Sequence, residues 1–187
     1  MARTRSRLYI LECVPRNQGI KEGDILFNFL EMMIVGVGDV TSEEFVSKND
    51  FLKWLGRTKN LEGFDFVHLS GHGDWDDGGL VFRLPNGRVH ANEFPRGCFE
   101  GKIVTFSACA LSRRDFMNSF LDTTGASAAI APQDKVRFVE AAMWYIRFYY
   151  LALYRNYTSL GAYKRTMEEL CEGPAKGRVK GIFDYWR

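Results

Sequence analysis

Two apolar runs in the middle of the chain each end abruptly in a turn of small residues: FVHLSGHGD at 66–74 and KIVTFSACALS at 102–112. Near-continuous apolar character of this kind, rich in β-branched and aromatic residues, suits strands covered on both faces. The small-residue run GASAAIAP at 125–132 reads as a third such strand, and RLYILECV at 7–14 as a fourth, ended by Pro15. Between them lie segments of helical period. KEGDILFNFLEMM (21–33) places Ile25, Phe29, Met32 and Met33 at helical spacing, and SKNDFLKWLGRTK (47–59), SRRDFMNSFLDT (112–123), DKVRFVEAAMWYIRFYYLALYRN (134–156) and SLGAYKRTMEELCEG (159–173) follow suit. IVGVGDV (34–40) is expected as a short strand, and GGLVFRLPNGRVHA (78–91) as a hairpin turning at Pro-Asn-Gly. The tail PAKGRVKGIFDYWR (174–187) reads as a connector followed by an aromatic segment that docks on the domain.

Strands alternating with helices predict an α/β fold, a three-layer sandwich around a mostly parallel sheet. Right-handed crossovers then bring the C-terminal ends of the strands to one edge, where open α/β sheets place their ligands and catalytic groups. Length is consistent with one domain spanning residues 1–187.

Composition excludes several function classes. With 46% hydrophobic and 26% charged residues and a net charge of +2, the chain is globular, and its charge gives no reason to expect nucleic acid or an anionic membrane. The most apolar stretch, FVEAAMWYIRFYYLAL at 138–153, is interrupted by Glu140 and Arg147 and reads as a core helix. After the basic start MARTRSR the apolar run is too short for a signal peptide. Cys13, Cys98, Cys109 and Cys171 lie far apart with no CxxC pair, which argues against zinc ribbons and disulfides and for a reducing cytoplasm.

His72 follows the first opening run and Cys109 the second. If the two strands are parallel neighbours, their tips stand about 5 Å apart, and a base and a nucleophile project from one edge. The imidazole can take the thiol proton and later protonate a leaving amine. A helix beginning after Cys109 would favour its thiolate. The N–H groups of Gly73 and Cys109 are the natural oxyanion donors, with Gly71 and Ala108 keeping the approach open. Each residue alone is more often ordinary: a buried cysteine, a polar turn histidine.

GHG at 71–73 and SAC at 107–109, each closing an apolar strand, resemble the active-site turns of caspase-like cysteine peptidases of clan CD. AAMWYIRFYYLALYRNYTSLGAYKRTMEEL at 141–170 is similar to the helical tail of their CHAT-domain branch. The resemblance implies a caspase-like fold, a Cys109–His72 dyad, a protein or peptide substrate and no cofactor. It also implies a regulated effector in prokaryotic antiviral or stress signalling, triggered by a small molecule such as a nucleotide or by a regulatory protein. Ser107 stands where the Q-A-C signature of animal caspases carries glutamine, and His72 lies closer to its cysteine than the roughly 50 residues of that signature. Aspartate specificity is therefore not implied.

Other signals weigh less. His68 and His72 lie on a strand and a Gly turn, not on the helix that an HxxxH metal pair needs. DWDDGG at 74–79 lacks the glutamate of a calcium loop, whose place falls on Pro85. No metal is therefore expected. Asp76 and Asp77 could border the cleft and favour a basic P1 residue, or form a solvated turn. Arg113 could meet an acidic substrate group. The alternative to an enzyme is a non-catalytic caspase-like module that binds a ligand or partner at the same edge.

Overall fold

The computed structural model describes residues 6–14, 21–33, 39–172 and 183–187. Its central sheet has six strands in the order β2-β1-β3-β7-β8-β9, with β1 Leu8–Glu12, β2 Val40–Glu44, β3 Phe66–Ser70, β7 Ile103–Phe106, β8 Ala128–Pro132 and β9 Phe183–Trp186. The first five run parallel; β9 runs antiparallel to β8, pairing Pro132 with Phe183 and Ala129 with Trp186. The aromatic tail therefore docks as expected, as a strand. β3, buried at every position, and β7 are parallel partners, Phe66 opposite Ile103 and Leu69 opposite Phe106.

Side-chain alternation along these strands feeds two cores, because successive residues face opposite sides of the sheet. Val67 and Leu69 look toward α2 (Lys48–Leu55) and α3 (Arg114–Thr124), joining Phe51, Phe106, Phe116 and Phe120. Leu8, Ile10 and Phe66 look the other way, toward α1 (Glu22–Met33), α4 (Phe138–Tyr149) and α5 (Ser159–Met167). On that side Trp144 stacks on Phe183 at 4.3 Å and on Phe148 at 5.5 Å between ring centroids. The dense aromatic stretch of α4 is core, helices cover both faces of a mostly parallel sheet, and the fold is the expected α/β sandwich.

Local chemistry sets the helix limits. Ser47 caps α2 by accepting the Asp50 N–H, and Thr158 caps α5 by accepting that of Gly161. α3 ends at Gly125, whose φ of 70° is the left-handed conformation that a helix stop favours.

Most of the strand expected at 34–40 falls on residues 34–38, which lie outside the described residues; a strand is observed at Val40–Glu44. One expectation needs correction. The long helix starts at Phe138, not at Asp134: the Glu140 carboxylate accepts the Arg137 N–H and fixes the start there. Past Tyr149 its last turn widens to π geometry over Tyr150–Tyr154.

A second, three-stranded antiparallel sheet lies between β3 and β7 in the chain: β4 His72–Asp76, β5 Gly79–Leu84 and β6 Gly87–His90. The hairpin of β5 and β6 was expected; β4 was not, because HGDWD reads as a polar turn. Backbone pairing with the apolar β5 recruits it. Phe82, Leu84 and Val89 of this sheet pack into the core shared with α2 and α3.

Candidate active site

Parallel pairing of β3 with β7 delivers both opening turns to one sheet edge. The Ser107 N–H donates to the Leu69 carbonyl at 3.1 Å, extending the pairing to the last residue before the cysteine turn. One residue after β3 the chain bends into β4, so His72 opens a strand instead of sitting in a free turn.

Gly73 and Cys109 then meet backbone to backbone. A Cβ placed on Gly73 would lie 1.8 Å from the Cys109 carbonyl oxygen and 3.4 Å from its amide nitrogen. Only glycine allows this approach. His72 and Cys109 are thus brought together through their chain neighbours.

The loop from Gln133 to Arg137 forms a third wall. The Asp134 carbonyl accepts the Ala110 N–H at 3.3 Å. The Val136 N–H donates to the Cys109 Sγ at 3.5 Å, and the thiol donates to the Val136 carbonyl at 3.6 Å. Phe138 sets its ring edge-on to His72, with centroids 5.7 Å apart. Sequence reasoning missed Val136 and Phe138 by placing them inside a helix. The available signal was Pro132 ending β8, followed by a lone valine among Gln133, Asp134, Lys135 and Arg137.

Beneath the turns lies a polar scaffold. Glu12, at the end of β1, is 2% exposed; its carboxylate accepts the Val14 N–H at 2.8 Å and the Gly23 N–H at 2.7 Å. The Ser70 hydroxyl, two residues before His72, donates to the same carboxylate at 3.1 Å. Burial nevertheless pushes the Glu12 pKa up to about 7 against these hydrogen bonds. His68 faces inward, its Nδ1 within 2.8 Å of Thr105 Oγ1 and 3.1 Å of the Tyr149 hydroxyl. Glu22 is fully buried 3.7 Å from His68 Nε2.

After Cys109 the chain is tied to the last strand. The Ser112 hydroxyl donates to Asp184 at 2.6 Å and accepts the Trp186 indole N–H at 2.7 Å. Asp184 also takes the Gln133 amide at 2.6 Å, and the Ser112 N–H reaches the Pro132 carbonyl at 3.0 Å.

Electrostatics favour a neutral imidazole. Burial lowers the His72 pKa, the Arg83 guanidinium lowers it further, and Asp74 opposes both. Among the other thiols, burial raises Cys98 to about 12 and Cys13 well above its ordinary value, whereas Cys109 is only half-buried.

The lesser candidates scatter. Ser107 is buried at the strand end, and its hydroxyl has no hydrogen-bond partner among the described residues. Asp76 accepts the Gly78 N–H at 2.9 Å and stands 3.4 Å from His90 Nε2, at the far end of β4 from His72. Asp77 lies in the turn from β4 to β5. Arg113, just before α3, is 3.6 Å from Asp134.

Solved structures give the class that this fold defines. The chain is similar to the crystal structure of the Arg-specific cysteine proteinase gingipain R, with a TM-score of 0.59, 10% identity, and coverage of 96% of this chain and 46% of that one. It is equally similar to the complex of Porphyromonas gingivalis RgpB pro- and mature domains, with a TM-score of 0.62, 12% identity, and coverage of 95% and 45%. The chain thus spans less than half the length of these proteinase chains, and the likeness is one of fold: caspase-like, as the sequence led us to expect. No protein-family model and no curated protein sequence matches the chain. No helix of the described residues is long and apolar enough to cross a membrane.

Proposed function

We propose that this chain is a caspase-like cysteine endopeptidase with Cys109 as nucleophile and His72 as general base. The observation that carries the reading is the Gly73–Cys109 backbone contact, which joins the two reactive turns at the C-terminal edge of the sheet. The Cys109 sulfur attacks the scissile carbonyl carbon while His72 takes the thiol proton. The C–N bond then breaks as His72 passes that proton to the amine nitrogen, leaving a thioester. Water attacks the thioester, His72 accepts its proton, and that proton returns to sulfur as the acid leaves. The N–H groups of Gly73 and Cys109 receive the oxyanion. A neutral His72 is the form this sequence needs at its start.

Residues 1–187 act as one domain in this reading, in the cytoplasm, on a protein or peptide, without metal or cofactor. The CHAT-like tail at 141–170 supports a regulated effector role in antiviral or stress signalling, with a nucleotide or regulatory protein as activator. In a related fold, gingipain's pro- and mature domains form a complex. In this reading Ser107 is a substrate-binding residue beside the nucleophile turn. Asp76 and Asp77 would favour a basic P1 residue, a preference that the Arg-specific gingipain makes worth testing. Arg113, four residues after Cys109, would meet an acidic group of the substrate.

A second reading, a non-catalytic binding module, is favoured by one observation: the Cys109 thiol is bonded to the Val136 backbone. Labelling with a peptidyl electrophile, with and without nucleotide or protein activators, separates the two. Modification of Cys109 that His72→Ala abolishes supports the enzyme. No modification under any condition favours the module.

A further inference from the structure

The segment 133–138 joins the end of β8 to the first turn of α4, and on the way it touches both proposed reactive groups. The Val136 N–H donates to the Cys109 Sγ at 3.5 Å, and the Cys109 thiol donates to the Val136 carbonyl at 3.6 Å. Two residues on, the Phe138 ring stands edge-on to the His72 imidazole, with centroids 5.7 Å apart. The segment is pinned on both sides of Val136. Before it, the Gln133 amide donates to Asp184 at 2.6 Å, the Asp134 carbonyl accepts the Ala110 N–H at 3.3 Å, and the Asp134 carboxylate faces Arg113 at 3.6 Å. After it, the Glu140 carboxylate accepts the Arg137 N–H at 3.3 Å.

The two bonds to sulfur identify the protonation state that this segment fits. A thiol can donate its one proton while accepting a hydrogen bond, so both bonds are satisfied at once. A thiolate would keep the Val136 N–H but has no proton for the Val136 carbonyl, and its charge would face the negative end of that dipole. Seated in this way, the sulfur gives its proton to a backbone carbonyl and not to an imidazole. Attack requires the thiolate, with a substrate carbonyl within about 3.5 Å of the sulfur. The nucleophile turn is also held in an uncommon shape: Ala110 has a φ of 59°, a left-handed conformation that non-glycine residues rarely adopt. Its N–H is the one that the Asp134 carbonyl accepts.

We infer that residues 133–138 form an autoinhibitory strap, which holds Cys109 as a neutral thiol through Val136 and sets Phe138 against His72 until it is released. The inference rests on the peptidase reading and supplies its resting form. It turns the thiol contact that favours a binding module into a property of the uncalled enzyme. The Asp134–Arg113 anchor is the weakest, because both side chains are exposed and such pairs hold little. Release of the strap is then what an activator must bring about.

Gln133→Ala combined with Asp134→Lys removes one anchor and turns another into a repulsion with Arg113, leaving Cys109, Val136 and His72 in place. Iodoacetamide reads thiol reactivity without needing a peptide subsite. It should alkylate Cys109 about tenfold faster in this double variant than in the wild-type chain, as the loss of a hydrogen bond to a carboxylate allows. Peptide mass mapping assigns the adduct. A second measurement follows hydrogen exchange of the Val136 amide: Cys109→Ala removes its acceptor, and exchange should speed up about tenfold. A folded double variant alkylated no faster than wild type overturns the strap, and so does Val136 exchange that Cys109→Ala leaves unchanged. Faster alkylation in a double variant that neither cuts a peptide library nor takes a peptidyl electrophile overturns the peptidase reading and leaves the strap standing. Melting curves verify folding, and if the double variant is unfolded the exchange measurement decides.

Discussion

Arg83 lies directly across from His72 in the antiparallel pair of β4 and β5, so the two side chains share one face of the small sheet. Arg88 stands opposite Arg83 on β6, and Asp74 lies 3.7 Å from Arg83 and 3.2 Å from Arg88. Two cations and one carboxylate thus border the proposed base.

His72 should titrate below its ordinary value of 6.5, through burial first and Arg83 second. The unfolded chain then binds more protons just below that pH, so this group's share of stability is complete above 6.5 and is lost as pH falls. NMR titration of the His72 ring in a Cys109→Ala background should give a midpoint under 6.5, and Arg83→Gln should move it upward. An unchanged midpoint would remove Arg83 from the account.

Gly73→Ala tests the backbone contact. The added methyl cannot coexist with the Cys109 carbonyl at 1.8 Å, so one of the two turns must move. Labelling of Cys109 by a peptidyl electrophile should slow on the order of 100-fold, as expected when a reacting group is displaced by about 1 Å. The melting temperature should also fall. Labelling at the wild-type rate would mean that the contact is irrelevant to alignment.

Ser112→Ala removes a hydroxyl that both Asp184 and Trp186 use. Denaturant unfolding should show a loss of about 1–3 kcal/mol, the cost of stranding partly buried polar partners. Cys109 labelling should slow as well, since the loop between the two residues loses its tie to β9. An effect on stability alone would confine Ser112 to a structural role.

Glu12 should give the opposite pH trend. Its pKa, raised from 4.5 to about 7, means that the folded chain holds the proton more tightly than the unfolded one. Its contribution is therefore greatest below pH 4.5 and is lost as pH rises through 7, on the order of 3 kcal/mol in all. Glu12→Gln should flatten the slope of stability against pH between 5 and 8, measured by urea unfolding. A slope identical to wild type would contradict the shift.

The parts of the fold that could be read in the sequence are those whose burial is written along one segment. FVHLS and KIVTFS are apolar on both faces and announce a covered parallel sheet, and the helices around Phe51 and Phe116 show their period. β2 went unread over most of its length because it is an edge strand, VTSEE, whose polar residues carry no strand pattern. β4 was missed for a related reason: its residues are polar, and only cross-strand bonds to β5 make it a strand. The same limit applied at the site. His72, Gly73 and Cys109 were legible as chemistry at strand ends. Val136 and Phe138 were not, because their contacts depend on the path of a loop, and a path has no local signature.

The strand β9 bears on how the protein is made as well as on how it stands. Ribosomes release the chain from its N-terminus, so His72 and Cys109 emerge well before Asp184 and Trp186. Until those two residues arrive, the Ser112 hydroxyl lacks both partners that hold the loop behind the cysteine. Synthesis itself thus delays the finished arrangement: a nascent polypeptide carries both the thiol and the imidazole from Cys109 onward without the strand that braces them, until Asp184 and Trp186 are made.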